Sequence, residues 1–127
     1  MSKQIVSEGD IATWFVEAVK SALNQFGWRA MEIEWYATAD CECFGPDRLE
    51  EIPRNRRLGV WVHVTYSRSS FSFFWDGLEQ SVSSFVGRTH DRIAEIRCSR
   101  FPAASPFRER IAAAAEAVVR ETLSACE

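Results

Sequence analysis

The stretch that decides the fold is Gly59-Val-Trp-Val-His-Val-Thr-Tyr-Ser-Arg-Ser-Ser-Phe-Ser-Phe-Phe-Trp-Asp76. Two runs rich in β-branched and aromatic residues flank the polar break Ser67-Arg68-Ser69-Ser70, which predicts a β-hairpin. A two- or four-residue loop is expected to set Tyr66 opposite Phe71, Val64 opposite Phe73 and Val62 opposite Trp75. Strand side chains alternate, so these six share one face, and that face is core. The other face carries Trp61, His63 and Phe74 beside Thr65 and Ser72. A wet sheet face should be polar throughout. The second face is therefore covered by a helix or kept for a partner.

Working outward, Met31, Ile33, Trp35 and Ala37 alternate with Glu32, Glu34 and Tyr36 in a half-buried strand beginning near Ala30. If it pairs with the hairpin, Glu32, Glu34 and Tyr36 join Trp61, His63 and Phe74 on the second face. Interfaces concentrate aromatics at the centre and polar groups at the rim, so these six residues form the first candidate binding surface. Before them, Ile11, Trp14, Phe15, Ala18, Val19, Ala22, Leu23 and Phe26 recur at helical spacing, predicting a helix over 9–26. Ser7 or Asp10 can cap it, and Gly27 can end it.

Residues 38–57 form a long connection punctuated by Gly45-Pro46 and Pro53, with a single helical turn expected over 47–52. It runs from acidic (Asp40, Glu42, Asp47, Glu50, Glu51) to basic (Arg54, Arg56, Arg57). Connections of this length are often functional, so its acids form a second candidate contact. After the hairpin, Asp76-Gly-Leu-Glu79 resembles a capping box, and Leu78, Val82, Phe85 and Val86 mark a helical face. A short helix over 77–86 is expected. Alternation of Ala94, Ile96 and Cys98 with charged and polar residues favours a strand over 93–100. Ser105 as cap and Pro106 in the first turn open a last helix over 106–124, lined by Phe107, Ile111, Ala114, Ala115, Val118 and Leu123. The expected fold is α+β, one two-layer domain over 1–127. An antiparallel sheet of about four strands packs with helices in the order α-β-β-β-α-β-α.

The 127 residues and the 46% apolar content allow a sizeable core. No basic-then-apolar leader and no run long enough for a membrane span is visible, so a cytoplasmic protein is expected. Arg outnumbers Lys thirteen to two, a compositional hint of a bacterial or phage source. Net charge is −3 but uneven: residues 1–51 hold ten acids and four bases, the remainder eight and eleven. Such a balance argues against a nucleic-acid backbone as principal ligand and favours a protein partner, since complementary patches steer association.

Motifs for chemistry are weak. Cys41-Glu-Cys43 has one residue between its thiols where zinc pairs use two to four. Cys98 and Cys126 lie far away in sequence, and no leader points to an oxidising compartment, so reduced thiols are expected. His63 and His90 sit in no catalytic context. Glu32 and Glu34 are the pattern of a solvated strand face, and the glycines are too scattered for a phosphate loop. No metal or other cofactor and no enzymatic activity is expected. The sequence instead favours a small protein-binding module of inhibitor or immunity type that covers a partner's functional surface. Trp61, His63 and Phe74 would be its anchors, with Tyr36, Glu32 and Glu34 at their edge. The acidic loop would meet a basic, even nucleic-acid-binding, partner. Two alternatives remain. One is a secretion chaperone or adaptor acting as a homodimer, since size, acidity and element order are similar to those of class I type III secretion chaperones. The other is a small enzyme or ligand-binding domain whose pocket between sheet and helices holds His63, a cysteine and a carboxylate.

Overall fold

A computed structural model describes residues 6–29, 31–54 and 57–125. The elements are α1 (Glu8–Gln25), β1 (Glu32–Ala39), β2 (Glu42–Phe44), a 3-10 turn (Pro46–Glu51), β3 (Leu58–Tyr66), β4 (Ser69–Asp76), β5 (Ser81–Val86), β6 (Arg92–Arg97), a second 3-10 turn (Cys98–Arg100) and α2 (Phe107–Ala125). The strands form one antiparallel sheet in the order β2-β1-β3-β4-β5-β6. The fold is α+β with an antiparallel sheet, but six strands replace the expected four. Among the described residues the order is helix, six strands, helix.

Local chemistry sets the ends of α1. Ser7 and Asp10 form a reciprocal capping box, with Asp10 N–H donating to Ser7 Oγ (3.0 Å) and Ser7 N–H to Asp10 Oδ2 (3.1 Å). At the other end Gly27, at φ 90°, closes a Schellman motif: Trp28 N–H donates to Leu23 O and Gly27 N–H to Asn24 O. The motif turns Trp28 back onto the sheet, where it stacks on Tyr66 at 4.9 Å and lies beside Phe71. Pro106 accepts the first α2 backbone bond, from Arg110 N–H, so Pro106 and not Ser105 stands at that cap position.

The β3–β4 hairpin closes through Ser67-Arg68, with Ser67 at φ 57°. Tyr66 pairs with Ser69, Val64 with Phe71, Val62 with Phe73 and Val60 with Trp75. This register is two residues from the expected one. A shift of two leaves every side chain on its face, whereas a shift of one would turn the strand over.

The expected helix over 77–86 is strand β5. Asp76 Oδ1 does accept from Leu78 and Glu79 N–H, at 3.0 and 3.2 Å. Those are the bonds of a helix cap, but here they stabilise the turn of a hairpin whose strands rejoin at Asp76–Ser81. Val82 then lies beside Trp75 and Ile96 in the core, and Phe85 falls on the opposite face. The loop after β1 likewise contains an edge strand, because Asp40 at φ 57° turns the chain tightly back into Glu42–Phe44. The strand expected over 93–100 ends at Arg97, and Cys98 begins a 3-10 turn. Ala30, Arg56 and Cys126 lie outside the described residues.

Both helices pack on the face formed by Ala37, Val60, Val62, Val64, Phe73, Trp75, Val82 and Ile96, all buried. Phe15 of α1 and Phe107 of α2 flank Trp75, at 6.3 and 6.0 Å between ring centroids. The helices lie side by side and parallel: Glu17 in the middle of α1 pairs with Arg108 at the start of α2, and Arg120 further along α2 covers Phe26 just past the end of α1. No helix of the described residues is long and apolar enough to cross a membrane.

Candidate functional site: the uncovered face of the sheet

Among the described residues, no helix covers the second sheet face. The strand pairing brings Tyr36 beside Trp61, Trp61 beside Phe74 and Glu34 beside His63. Trp61 is the hub of a connected strip of rings. Its centroid lies 4.4 Å from Phe74, 5.5 Å from Phe85 and 5.8 Å from His63, the last pair nearly parallel. Tyr36 extends the strip from His63 at 5.6 Å. All five rings are half-buried, while Ser72 and Ser83 between them are buried at 1% and 3% exposure.

Gly59 makes room at one end. A Cβ there would stand 2.7 Å from Thr38 Oγ1 and 2.9 Å from the Phe74 ring. Only glycine lets Phe74 lie down across β3 without displacing a neighbour.

His63 is held on both sides. Ser72 Oγ–H donates to Gly87 O. A hydroxyl has one proton, so His63 Nδ1–H must donate to Ser72 Oγ (2.6 Å). Nε2 lies 3.4 Å from the Tyr36 hydroxyl and accepts from it in the neutral imidazole. Burial holds its pKa below the usual value and the nearby Arg88 charge lowers it further, with Glu34 opposing. Burial raises the Tyr36 hydroxyl, Cys43 and Glu34 add to that, and Arg88 opposes. Ser72 gives its proton to a backbone carbonyl and is not activated by His63, so the pair lacks the geometry of a nucleophile and its base.

The rim consists of arginine–carboxylate pairs: Arg88–Glu34 (2.7 Å), Arg92–Glu95 (2.9 Å), Arg97–Glu79 (3.1 Å) and Arg57–Asp76 (3.4 Å). Arg92 also lies over the Phe85 ring at 5.8 Å. Exposed pairs of this kind contribute little stability. Their consequence is electrostatic: each rim cation is balanced by an acid, whereas a phosphate-binding face keeps its cations uncompensated.

The sequence-derived candidates divide into two groups. Trp61, His63, Phe74, Tyr36 and Glu34 meet on this face, and Glu32 lies on it at the start of β1. The acidic loop is elsewhere. Asp47, Glu50 and Glu51 belong to the 3-10 turn, which packs on the helix side where Gly9 approaches Leu49. Asp40 and Glu42 sit at the β1–β2 turn. Arg48 bridges Glu42 (3.2 Å) and Glu51 (3.0 Å), so part of the acidity is neutralised within the loop. Alternation places Ser72 on this face without giving it a role, and Phe85, Ser83, Arg88 and Arg92 were not legible as site residues. The signal for Ser83 and Phe85 was the run Ser81–Val86.

Two cavities open on this face. One, lined by Glu32, Glu34, His63 and Arg88, has no cysteine; another, lined by Asp40, Cys41, Gly59 and Phe74, has no histidine. Among the described residues no three His, Cys, Asp or Glu side chains gather as metal ligands would. Cys41 and Cys43 are exposed, and burial pushes the Cys98 thiol up to about 11. No protein-family model, curated protein or solved structure matches the chain.

Proposed function

We propose that this chain is a small protein-binding module of inhibitor or immunity type, which lays the uncovered face of its sheet over a partner's functional surface. The observation that carries this reading is the connected strip Tyr36–His63–Trp61–Phe74–Phe85, half-buried on a face that no described helix covers and ringed by balanced arginine–carboxylate pairs. Aromatic centres with polar, water-excluding rims are the anatomy of binding hot spots, in which Trp, Tyr and Arg dominate. The balanced rim favours a protein over a nucleic acid. The secretion-chaperone alternative leaned on an element order with a helix between strands, and that helix is absent among the described residues. Asp47 and Glu50 offer a separate acidic contact to a basic partner, on the far side of the sheet edge.

The test uses W61A/F74A. Wild-type protein incubated with lysate from its source is resolved by size exclusion with light scattering, the co-eluting chain is identified, and the purified pair is titrated by calorimetry. Two hot-spot rings at about 2 kcal/mol each predict a loss of about a thousandfold in affinity. Helix packing should persist, because both rings lie away from α1 and α2. Equal affinity of the double variant would place the interface elsewhere. Unfolding of the variant would make the rings part of the core. A wild-type homodimer that shields Trp61 would replace the hetero-partner with a second copy.

A further inference from the structure

The two edges of the sheet differ. β6 is a blunted edge: its register slips at Ser84/Phe85, and Arg92, Glu95 and Arg97 set both signs of charge along it. At the other edge β2 is three residues long and pairs only with Ala37–Ala39 of β1. The chain then leaves the sheet at Gly45-Pro46 for the 3-10 turn, and Pro46 has no N–H with which to continue the ladder. Among the described residues, Glu32–Trp35 of β1 therefore has a strand on one side only.

The hairpin turn decides which backbone groups face outward there. Asp40 and Cys41 are the whole loop between Ala39 and Glu42, so Ala39 and Glu42 exchange both backbone bonds; the other antiparallel pattern would require Asp40 to bond its own neighbour Cys41. Bonding direction alternates along a strand, so Ala37, Trp35 and Ile33 face the same way as Ala39, while Glu34 and Tyr36 face β3. The β3–β4 turn gives the same answer from the other side. Tyr66 and Ser69 are the bonded pair across Ser67-Arg68, which aims Val64 and Val62 at β4 and leaves His63 and Trp61 to bond Glu34 and Tyr36. The N–H and C=O of Ile33 and Trp35 thus point out of the edge, and no backbone partner meets them among the described residues.

The side chains flanking this edge are of two kinds. On the helix side Met31, Ile33 and Trp35 are only half-buried, at the margin of a core in which α1 packs on β3 and α2 on β5 and β6. On the open side stand Glu32 and Glu34. Glu34 pairs with Arg88, whereas Glu32 makes no ion pair among the described residues.

We propose that this edge accepts a strand from a protein partner, laid antiparallel along Glu32–Trp35, with apolar residues toward Ile33 and Trp35 and basic residues toward Glu32 and Glu34. The added strand meets the outward N–H and C=O groups, extends the shelter over the half-buried apolar side chains and neutralises the acids, which is the physics of β-strand addition. Every neighbouring pair in the sheet is antiparallel, and that pairing is the more stable one. A second copy of the chain fits poorly. The symmetric registers that keep each face on its own side set Glu34 against Glu34 or Glu32 against Glu34, and like charges directly opposite are unfavourable. The edge lies beside the aromatic strip, and the proposal does not rest on the strip's role.

The probe is the peptide acetyl-Lys-Val-Lys-Val-Lys-amide, titrated into the full chain while amide hydrogen exchange is followed by NMR. In the free chain the Ile33 and Trp35 N–H should exchange fast, and those of Glu34 and Tyr36, bonded to β3, slowly. With peptide at about ten times its Kd, exchange at Ile33 and Trp35 should slow about tenfold. Acetyl-Glu-Val-Glu-Val-Glu-amide should bind about tenfold more weakly, and E32K should weaken the lysine peptide and strengthen the glutamate peptide. N-methylation of the two valines, whose N–H groups would face β1, should abolish binding, and N-methylation of the central lysine should not. The proposal is overturned if Ile33 and Trp35 gain no protection, if the two peptides bind equally, or if the valine-methylated peptide keeps its affinity. Folded W61A/F74A should bind the lysine peptide as the wild type does; loss of binding there would place the peptide on the aromatic face and overturn the edge as its site.

Discussion

Ser84 and Thr122 provide the sharpest test of the sheet, because their contact exists only if residues 81–86 are a strand beneath α2. Both are fully buried. Thr122 Oγ1 lies 2.6 Å from Ser84 Oγ and 2.6 Å from Val118 O. The carbonyl can only accept, so Thr122 donates to it, and the Ser84 hydroxyl donates to Thr122. Thr122→Val removes the acceptor and leaves a hydroxyl buried without a partner, at a cost of about 1–3 kcal/mol. Ser84→Ala removes only a donor; Thr122 keeps its proton on Val118 O, and the expected cost is about 1 kcal/mol. With both hydroxyls gone nothing is left unpaired, so the double variant should lose less than the sum, with a coupling energy of about 1 kcal/mol. Urea denaturation of the four proteins, with unchanged m-values, measures this directly. Strict additivity would remove the contact and, with it, the strand that carries Phe85 to the open face. On a helix over 77–86, Ser84 would lie off the apolar face, and both single changes would be near neutral.

Three further outcomes follow from the site. His63 has a lowered pKa, so between that value and about 6.5 the unfolded chain binds more protons than the folded one, and stability there rises with pH. The His63 contribution is complete above the unfolded pKa and is lost as pH falls through the folded one; His63→Gln should flatten melting temperature against pH over this range, and an unchanged profile would mean that the imidazole is not held neutral. Gly59→Ala would push its Cβ against Thr38 and the Phe74 ring; a loss of about 1–3 kcal/mol is expected, with altered Phe74 and Trp61 NMR signals, and unaltered ring signals would refute the close approach. Iodoacetamide mapping of the native protein should modify Cys41 and Cys43 and spare Cys98 until denaturant is added; rapid native labelling of Cys98 would contradict its burial.

The parts of the fold that were legible are those where one signal is unopposed. The stripe from Ile11 to Leu23 carries helical spacing, a capping pair and a terminal glycine, and all agree with α1. The hairpin at 59–76 has alternation on both sides of a polar break. Its exact register was not legible, because shifts of two residues conserve the face and only packing chooses among them; Trp28 stacked on Tyr66 with Phe71 beside it is such a contact. The misread segment is instructive. Asp76 makes the two backbone bonds of a helix cap, but Val82, Phe85 and Val86 favour a strand, and Val82 fits between Trp75 and Ile96. The local cap was real, and tertiary pairing decided what followed it.

The site was legible as a set of rings, not as an open surface. Alternation shows that Trp61, His63 and Phe74 oppose Val60, Val62 and Val64, but both sets are apolar enough to lie under helices. The physical difference is in what packs on each face. The face of Val60, Val62, Val64, Phe73 and Trp75 is covered by Phe15 of α1, by Phe107 of α2 and by the buried Ala114 and Ala115 of α2. On the other face the rings lie against one another, with Phe74 resting over Gly59, and beneath them Ser72 and Ser83 are as sheltered as core residues. A layer one side chain thick thus does for the sheet's second face what a helix would otherwise do. It is an incomplete shelter, because each ring keeps an exposed side. Those exposed sides are what a partner can bury without rearranging the protein, since stacking and the Tyr36–His63–Ser72 chain already hold the rings in place.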